Sequence, residues 1–161
     1  MERLWSPWRS RYVASAEGVS DSACVFCVIQ ADPSKDEDNL VVYRGALNYV
    51  LLNLYPYITG HLLIVPYAHV GDLDAASKET TDELMDLTKR GQTVLREAYQ
   101  PDGFNVGMNL GQAAGAGITE HIHLHILPRW GGDTNFMSTI AETRVLPEDL
   151  VATYEKIRGR F

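Results

Sequence analysis

Hydrophobic residues along the chain follow two different periods, and their order predicts most of the secondary structure. Five short segments are rich in apolar, β-branched and aromatic residues and are separated by glycine, proline or polar turns. These predicted strands are residues 40–43, 47–54, 61–65, 104–110 and 121–127. Residues 80–99 instead repeat their apolar positions every three to four residues, which predicts one long amphipathic helix.

The ends of the predicted helices carry their own sequence signals. Thr80 and Glu83 have the spacing of a capping box at the start of the main helix. Pro147 suits the first turn of a second helix that runs to Arg158. Strands in close succession, one main helix and a late strand pair predict an α+β fold, with a mostly antiparallel sheet and the helices on one side. Because no repeat or composition break interrupts the chain, we expect a single domain over residues 1–161, with an N-terminal extension (1–22) and a C-terminal tail (140–161).

Composition and charge narrow the class of function. The 161 residues are 45% apolar and 22% charged, as in ordinary globular proteins, and carry a net charge of −7. This charge argues against binding to a nucleic-acid polymer, although backbone N–H groups can still hold a small polyphosphate. No segment approaches the roughly 20 apolar residues of a membrane span, and the first residues lack a secretion signal. We therefore expect a cytoplasmic protein with no membrane partner, whose two cysteines are thiols or metal ligands.

Three of the five histidines, His121, His123 and His125, alternate with apolar residues in the last predicted strand. Alternate residues of a strand share a face, so the three imidazoles are expected side by side, about 6.5–7 Å apart. Three interpretations are open: an exposed polar strand face, a three-histidine metal centre, and nucleophilic and acid–base catalysis. Catalysis is favoured, because metal ligands must converge on one point and a neutral imidazole attacks phosphorus without prior deprotonation. His123 has a histidine on either side and is the predicted nucleophile.

These residues resemble the signature of the histidine triad (HIT) family, in which three histidines alternate with apolar residues. The resemblance covers most of residues 24–129, and its other matching elements are Asn53, Gly60-His61, Val65-Pro66, His69, and Asn105 with Asn109-x-Gly111. The branch that cleaves diadenosine tetraphosphate is the most similar, through Trp5-Ser-Pro-Trp8-Arg9, Asn53-Leu-Tyr-Pro-Tyr57 and Pro128-Arg-Trp-Gly-Gly-Asp133. The resemblance implies a five-stranded antiparallel sheet with one main and one C-terminal helix, paired in a homodimer.

The resemblance also implies roles for individual residues. His123 would attack the α-phosphorus of the substrate and form a nucleotidyl-histidine intermediate. His125 would bond a phosphate or bridging oxygen. Asn53 would contact the ribose, and Asn109 would contact phosphate or the catalytic strand.

Two residues are candidates for the base pocket. Leu51 shares a strand face with Asn53 and could line the pocket, although an ordinary core leucine fits the pattern equally well. Trp130 follows the triad and could stack on a base or lie in an interface.

The segment before the first triad histidine departs from the family pattern. Many family hydrolases have glutamine or serine in the four residues where this chain has Gly117-Ile118-Thr119-Glu120. Backbone N–H groups from Gly115 to Ile118, together with Thr119, would have to bind phosphate instead, as a glycine-rich bend can. A simple flexible turn is the alternative. The acceptor of the nucleotidyl group is therefore open between inorganic phosphate and water.

Cys24 and Cys27 form a Cys-x-x-Cys pair, a spacing that also occurs in redox sites and by chance. The resemblance supplies two further ligands for a tetrahedral structural zinc, His69 and His121. Two buried free thiols are the alternative. A closed zinc site would tie the N-terminal segment to the catalytic strand and fix the ring of His121.

Taken together, the resemblance implies an enzyme that cleaves dinucleoside polyphosphates and needs no organic cofactor. A nucleotide is then the expected binding partner. Two alternatives are a hydrolase of nucleoside phosphoramidates and a nucleotide-binding scaffold that retains the triad without turnover.

Overall fold

The computed structural model of the protein describes residues 24–134 and 146–161. The predicted N-terminal extension, 1–22, and residues 140–145 of the C-terminal tail lie outside the described residues. No helix in the described part of the chain combines the length and the apolar composition that crossing a membrane requires.

Five strands form one antiparallel sheet, as predicted. The strands are β1 (Val41–Arg44), β2 (Asn48–Leu52), β3 (Leu62–Pro66), β4 (Gly103–Met108) and β5 (Leu124–Arg129). Their order across the sheet is β1-β2-β3-β5-β4, and every neighbouring pair is antiparallel. Each predicted strand is present, but its ends are displaced by a few residues. The ends are displaced because a strand ends where its hydrogen bonds to the neighbouring strand end. The hydrophobic pattern of one segment carries no information about its partner.

Three α-helices are present among the described residues: α1 (Val25–Ala31), α2 (Lys78–Tyr99) and α3 (Leu150–Ile157). The second and third are the predicted main and C-terminal helices. We did not predict α1, because a helix of seven residues is too short to display a helical period.

Both faces of the sheet are covered, because alternate residues of the central strands point to opposite sides. Val50 and Leu52 pack with residues of α2 and α3 in the main core. Tyr49 and Leu51 pack with Phe26 of α1 in a second cluster. The prediction that the helices lie on one side is therefore wrong, since α1 covers the opposite face. The candidate site forms beneath this short helix.

The start of α2 also differs from the prediction. The helix begins at Lys78, two residues before the predicted position, and Ser77 is its N-cap. The Ser77 Oγ accepts a hydrogen bond from the Thr80 amide at 3.2 Å, which satisfies one of the N–H groups left open in the first turn. No capping box forms, because the carboxylate of Glu83, the second residue of the predicted box, bonds to the turn between β1 and β2 instead.

The Glu83 carboxylate holds the turn between β1 and β2. It accepts hydrogen bonds from the amides of Ala46 and Leu47, each at 2.7 Å, and from Asn48 Nδ2 at 2.8 Å. Burial tends to raise the pKa of Glu83, but these hydrogen bonds outweigh burial and hold the pKa below its usual value of 4.5.

We expect Glu83→Ala to lower the free energy of unfolding by about 2 kcal/mol, because it leaves three donors without their acceptor. The melting temperature should fall by about 4–8 °C. Since the carboxylate is favoured in the folded state, its contribution is complete above pH 4.5 and is lost as the pH falls through the lower folded-state pKa. Thermal melts at pH 7 and at pH 3 measure both effects, with the exposed Glu79→Ala on the same helix as the control. Equal melting temperatures for the two variants at pH 7 would contradict this account.

Candidate active site and metal centre

A cavity of about 280 Å³ opens between α1 and the sheet face that this helix covers. It extends from the residues that precede β5, across β3 and β2, to the turn before β1. The residues that line it are Val25, Phe26, Val28, Ile29, Asp38, Asn39, Leu40, Leu51, Leu52, Asn53, Leu54, Tyr55, Tyr57, Leu63, Asn109, Gly115, Gly117, Ile118, His123 and His125.

The three triad histidines are divided between two places. Strand β5 begins only at Leu124, where its pairing with β3 ends, so the two residues His121 and His123 precede the paired strand. His123 and His125 line the cavity, with their ring centroids 4.9 Å apart. His121 is fully buried and turns towards the cysteine pair. The prediction of three rings side by side on one strand face is therefore wrong for His121.

The hydrogen bonds of His123 determine which ring nitrogen carries the proton. Its Nδ1 lies 3.0 Å from the backbone carbonyl of His121 and donates to it, so Nε2 is left with a lone pair. The ring is 7% exposed, and Phe26 packs against it with a centroid distance of 5.1 Å. Burial lowers the pKa of His123, and the bond to the carbonyl offsets part of this effect. The ring is therefore neutral near pH 7 and fit for nucleophilic attack.

A fourth histidine, His61, fixes the tautomer of His125. The Tyr57 amide donates to His61 Nδ1 at 3.1 Å, so the proton of a neutral His61 lies on Nε2. That proton is donated to His125 Nδ1 at 2.8 Å, which leaves the proton of His125 on Nε2. Burial, and then the nearby His125 and His123, lower the pKa of His61 to about 2, so this ring stays neutral. The pair can present a proton donor beside the lone pair of His123.

The sequence predicted no separate role for His61. The residue lies two positions before Leu63, which is opposite His125 in the β3–β5 pairing. Residues two positions apart share a strand face, so the contact follows once the pairing is known. The signal in the sequence was a histidine directly before an apolar strand, and it could not be interpreted without that register.

Three predicted binding residues lie at the cavity. Leu51, Asn53 and Asn109 all line it. Leu51 is also part of the second core cluster, so its two proposed interpretations are both compatible with its position. The Asn53 Oδ1 accepts from the Tyr55 amide at 2.9 Å, and its Nδ2 lies 3.3 Å from His61 Nδ1. Asn53 is thereby held next to His61, which bonds His125.

The glycine loop contributes Gly115, Gly117 and Ile118 to the cavity wall. Gly115 has a φ of 86°, a left-handed conformation that favours glycine. The amides of Gly115 and Ala116 donate to carbonyls within the loop, so they are not the groups that bind a ligand. Within residues 24–134 and 146–161, the amides of Gly117 and Ile118 have no hydrogen-bond partner. The predicted phosphate-binding amides are thus reduced to these two.

The structure does not bring two other predicted residues to the cavity. Thr119 is exposed and lies outside it. Trp130 donates its Nε1–H to the carbonyl of Tyr99 at 3.3 Å and packs edge-on against that ring. It lines a separate cavity of about 460 Å³ next to the residues before α3. In the described part of the chain, neither residue lines the cavity that contains His123 and His125.

The predicted metal ligands form a compact cluster of four residues, Cys24, Cys27, His69 and His121. Its four ligand atoms all lie within 4.8 Å of one another. The His121 Nδ1 is 3.4 Å from Cys24 Sγ and 3.6 Å from Cys27 Sγ. The His69 Nδ1 is 3.3 Å from both Cys27 Sγ and His121 Nδ1.

These distances fit a tetrahedral metal ion. Zinc bonds of about 2.0–2.3 Å place the ligand atoms about 3.3–3.8 Å apart at the corners of a tetrahedron. The His121 Nε2–H donates to the Pro66 carbonyl at 2.8 Å, which leaves Nδ1 as the ligand atom. Burial, and then the neighbouring Cys24, raise the pKa of Cys27, and a bound cation reverses such an effect. The donor set is one that zinc prefers.

Comparisons with known proteins agree with this geometry. An AP-4-A phosphorylase of Mycobacterium tuberculosis is 41% identical over 152 residues, covering 92% of this chain and 78% of that protein. An adenosine 5′-monophosphoramidase of Saccharomyces cerevisiae, HNT1, is 30% identical and covers 80% and 77%. The crystal structure of a zinc-bound histidine triad family protein from Mycobacterium smegmatis superimposes with a TM-score of 0.69 at 29% identity, covering 86% and 92%. The family model of the HIT domain matches residues 34–132. The chain belongs to the HIT domain family.

Proposed function

We propose that the protein is a dinucleoside polyphosphate phosphorylase that transfers a nucleotidyl group through His123 to inorganic phosphate. The observation that carries the proposal is the fixed tautomer of His123, whose Nδ1–H is donated to the His121 carbonyl while Nε2 keeps its lone pair. The similarity to the mycobacterial AP-4-A phosphorylase, which extends over 92% of this chain, supports the substrate class.

The first step forms the covalent intermediate. The lone pair of His123 Nε2 attacks the α-phosphorus of diadenosine tetraphosphate, and the bond from that phosphorus to the bridging oxygen breaks. ATP leaves as an anion, and His125 Nε2–H donates a hydrogen bond to the departing oxygen, which stabilises its developing charge. His61 supports this hydrogen bond because its own Nε2–H is donated to His125 Nδ1, which keeps the proton of His125 on the other nitrogen.

The second step releases the nucleotide. An oxygen of inorganic phosphate attacks the α-phosphorus, the phosphorus–nitrogen bond breaks, and ADP leaves with His123 regenerated. The attacking oxygen carries no proton, and the proton of the phosphate stays on the terminal phosphate of ADP or passes to solvent, so His125 keeps its Nε2–H in both steps. Among the described residues that line the cavity there is no lysine or arginine, so the amides of Gly117 and Ile118 and the Asn109 side chain are the proposed contacts to phosphate.

Product analysis distinguishes this proposal from its alternatives. The purified protein is incubated with diadenosine tetraphosphate, with and without phosphate, and the products are separated by chromatography. We expect ADP to appear only when phosphate is present, and ATP to exceed one equivalent per enzyme only then. AMP and ATP without phosphate would identify a hydrolase and overturn the choice of acceptor. Turnover restricted to adenosine phosphoramidate, or no turnover at all, would overturn the substrate class.

We also propose that Cys24, Cys27, His69 and His121 hold a structural zinc ion. The distances among their ligand atoms and the similarity to a zinc-bound histidine triad protein support this. When bound, zinc supplies a cross-link between the start of α1 and the segment before β5, and it takes no part in the transfer steps. The reducing cytoplasm expected from the sequence keeps both thiols available for the metal.

We further propose that two chains form a dimer through β4, the strand at one edge of the sheet. Its residues Asn105, Val106 and Gly107 are exposed, and Val106 leaves 43% of its surface open, so this edge strand is accessible to a second chain. Light scattering after size-exclusion chromatography should give the mass of two chains for the native protein. Val106→Lys should give one chain, whereas Val151→Lys on the exposed side of α3 should remain dimeric. A native protein that elutes as a monomer at micromolar concentration would contradict the proposal.

A further inference from the structure

The end of the cavity that lies farthest from His123 is formed by the turn before β1. This turn contributes Asp38, Asn39 and Leu40 to the cavity wall. The amides of Asn39, Leu40 and the next residue donate to carbonyls of the same segment at 2.9, 3.1 and 2.8 Å. The Leu40 carbonyl accepts from the Leu52 amide at 3.0 Å, which joins the turn to β2. The turn is therefore held rigidly in place.

The cavity has the length and direction that a nucleotide needs. The path from β5 to β1 crosses β3 and β2, which amounts to three strand spacings or about 14 Å. Helix α1 runs above the same path, because Cys24 at its start contacts His121 while the Ile29 carbonyl near its end accepts from Arg44 of β1. A nucleotide with its α-phosphorus at His123 therefore has its base near this turn.

The surroundings of the base are apolar apart from one short stretch of chain. Val28, Ile29 and Leu40 provide hydrocarbon surfaces at this end of the cavity. Asn39 is half-buried among them, and its side chain makes no hydrogen bond within the described residues. The neighbouring Asp38 also lines the cavity, but it belongs to the exposed residues of the turn. The Asn39 carboxamide is the more buried of these two polar groups, and it lies where it can meet the edge of a base.

We propose that Asn39 is a specificity-determining residue that selects adenine. A carboxamide has a donor beside an acceptor, and it matches the N6 amino group and N7 of adenine in two hydrogen bonds. Guanine and hypoxanthine present two acceptors, O6 and N7, on the same edge, so one group stays unpaired in either orientation of the amide. The inference rests on the proposed function only for the position of the α-phosphorus at His123.

Binding measurements test this without turnover. The affinities of the full-length protein for AMP, inosine 5′-monophosphate and 7-deaza-AMP are measured by calorimetry for the native chain, Asn39→Ala and Asn39→Asp. Glu37→Gln is the matched control, since it changes a 74% exposed side chain of the same turn that does not line the cavity. The native protein should bind AMP about tenfold more tightly than either analogue, a difference of about 1.4 kcal/mol. Asn39→Ala should reduce this ratio to near one, and Glu37→Gln should leave it unchanged.

The outcomes separate the inference from the proposed function. An equal affinity of the native protein for AMP and inosine monophosphate would overturn the inference, as would a tenfold ratio that persists in Asn39→Ala. Thermal melts of each variant show whether the fold is intact. If AMP is selected through Asn39 while diadenosine tetraphosphate is not cleaved, the base site stands and the proposed reaction fails. If diadenosine tetraphosphate is cleaved but Asn39→Ala keeps the native ratio of affinities for AMP and its analogues, only the inference fails.

Discussion

Replacing His123 with alanine is expected to reduce the turnover of diadenosine tetraphosphate by a factor on the order of 10⁴–10⁶, as the loss of a catalytic nucleophile does in other enzymes. The reason is specific to the site. Of the two imidazoles among the described residues that line the cavity, His123 is the one with a protonated Nδ1 and a lone pair on Nε2, because His125 has the opposite tautomer through its bond from His61. Initial rates under saturating substrate and phosphate measure the effect.

Two controls separate lost chemistry from lost structure. His123→Asn has a smaller side chain that keeps a polar group near the His121 carbonyl, and it should be as inactive as His123→Ala. Both variants should bind AMP within a few-fold of the native affinity, since the base and ribose contacts are unchanged. Retention of more than a tenth of the native rate by either variant would refute the assignment of the nucleophile.

Loss of the metal centre is expected to have the largest effect on stability. Cys27→Ser removes one of four ligands and leaves the start of α1 without its cross-link to the segment before β5. We expect the zinc content to fall below one ion per chain and the free energy of unfolding to drop by about 3–5 kcal/mol, since metal affinity contributes directly to folding. The melting temperature should decrease by roughly 10–15 °C. Elemental analysis and thermal melts measure the two quantities.

The effect should extend to ligand binding, because α1 contains Cys27, has Cys24 as its N-cap, and forms one wall of the cavity through Val25, Val28 and Ile29. We expect Cys27→Ser to bind AMP more weakly than the native protein. Ala31→Ser, at the exposed end of the same helix and outside the cavity wall, is the control for a polar substitution and should keep both its zinc and its affinity for AMP. Unchanged zinc content in Cys27→Ser would remove this residue from the ligand set.

The strands and the main helix could be predicted because their apolar periods are long and regular. The paired strands β2 and β3 are buried on both faces, and their apolar character remained visible without knowledge of the partners. The presence of His123 and His125 at the cavity could also be predicted, since the spacing of the triad is visible in the sequence. The cluster of Cys24, Cys27, His69 and His121 agrees with the ligand set that family resemblance suggested.

Other features depend on contacts between distant segments and could not be derived from local pattern. The divergence of His121 from His125 follows from where the pairing with β3 stops. The role of His61 depends on the same register, since it contacts a residue 64 positions away. Glu83 had the spacing of a helix cap but bonds to a turn 36 and 37 positions earlier. Asn39 lies in a polar stretch of sequence that is typical of any surface loop, and its position at the cavity is visible only in the fold.

The central claim is a covalent nucleotidyl group on His123 that inorganic phosphate removes. The direct measurement is to mix the protein with diadenosine tetraphosphate labelled at the α-phosphorus, without phosphate, quench at neutral to alkaline pH, and map the labelled peptide by mass spectrometry. We predict one adenylyl group on His123, and its conversion to labelled ADP when phosphate is added before the quench. A label on another residue, or label on His123 that phosphate does not release as ADP, would contradict the account.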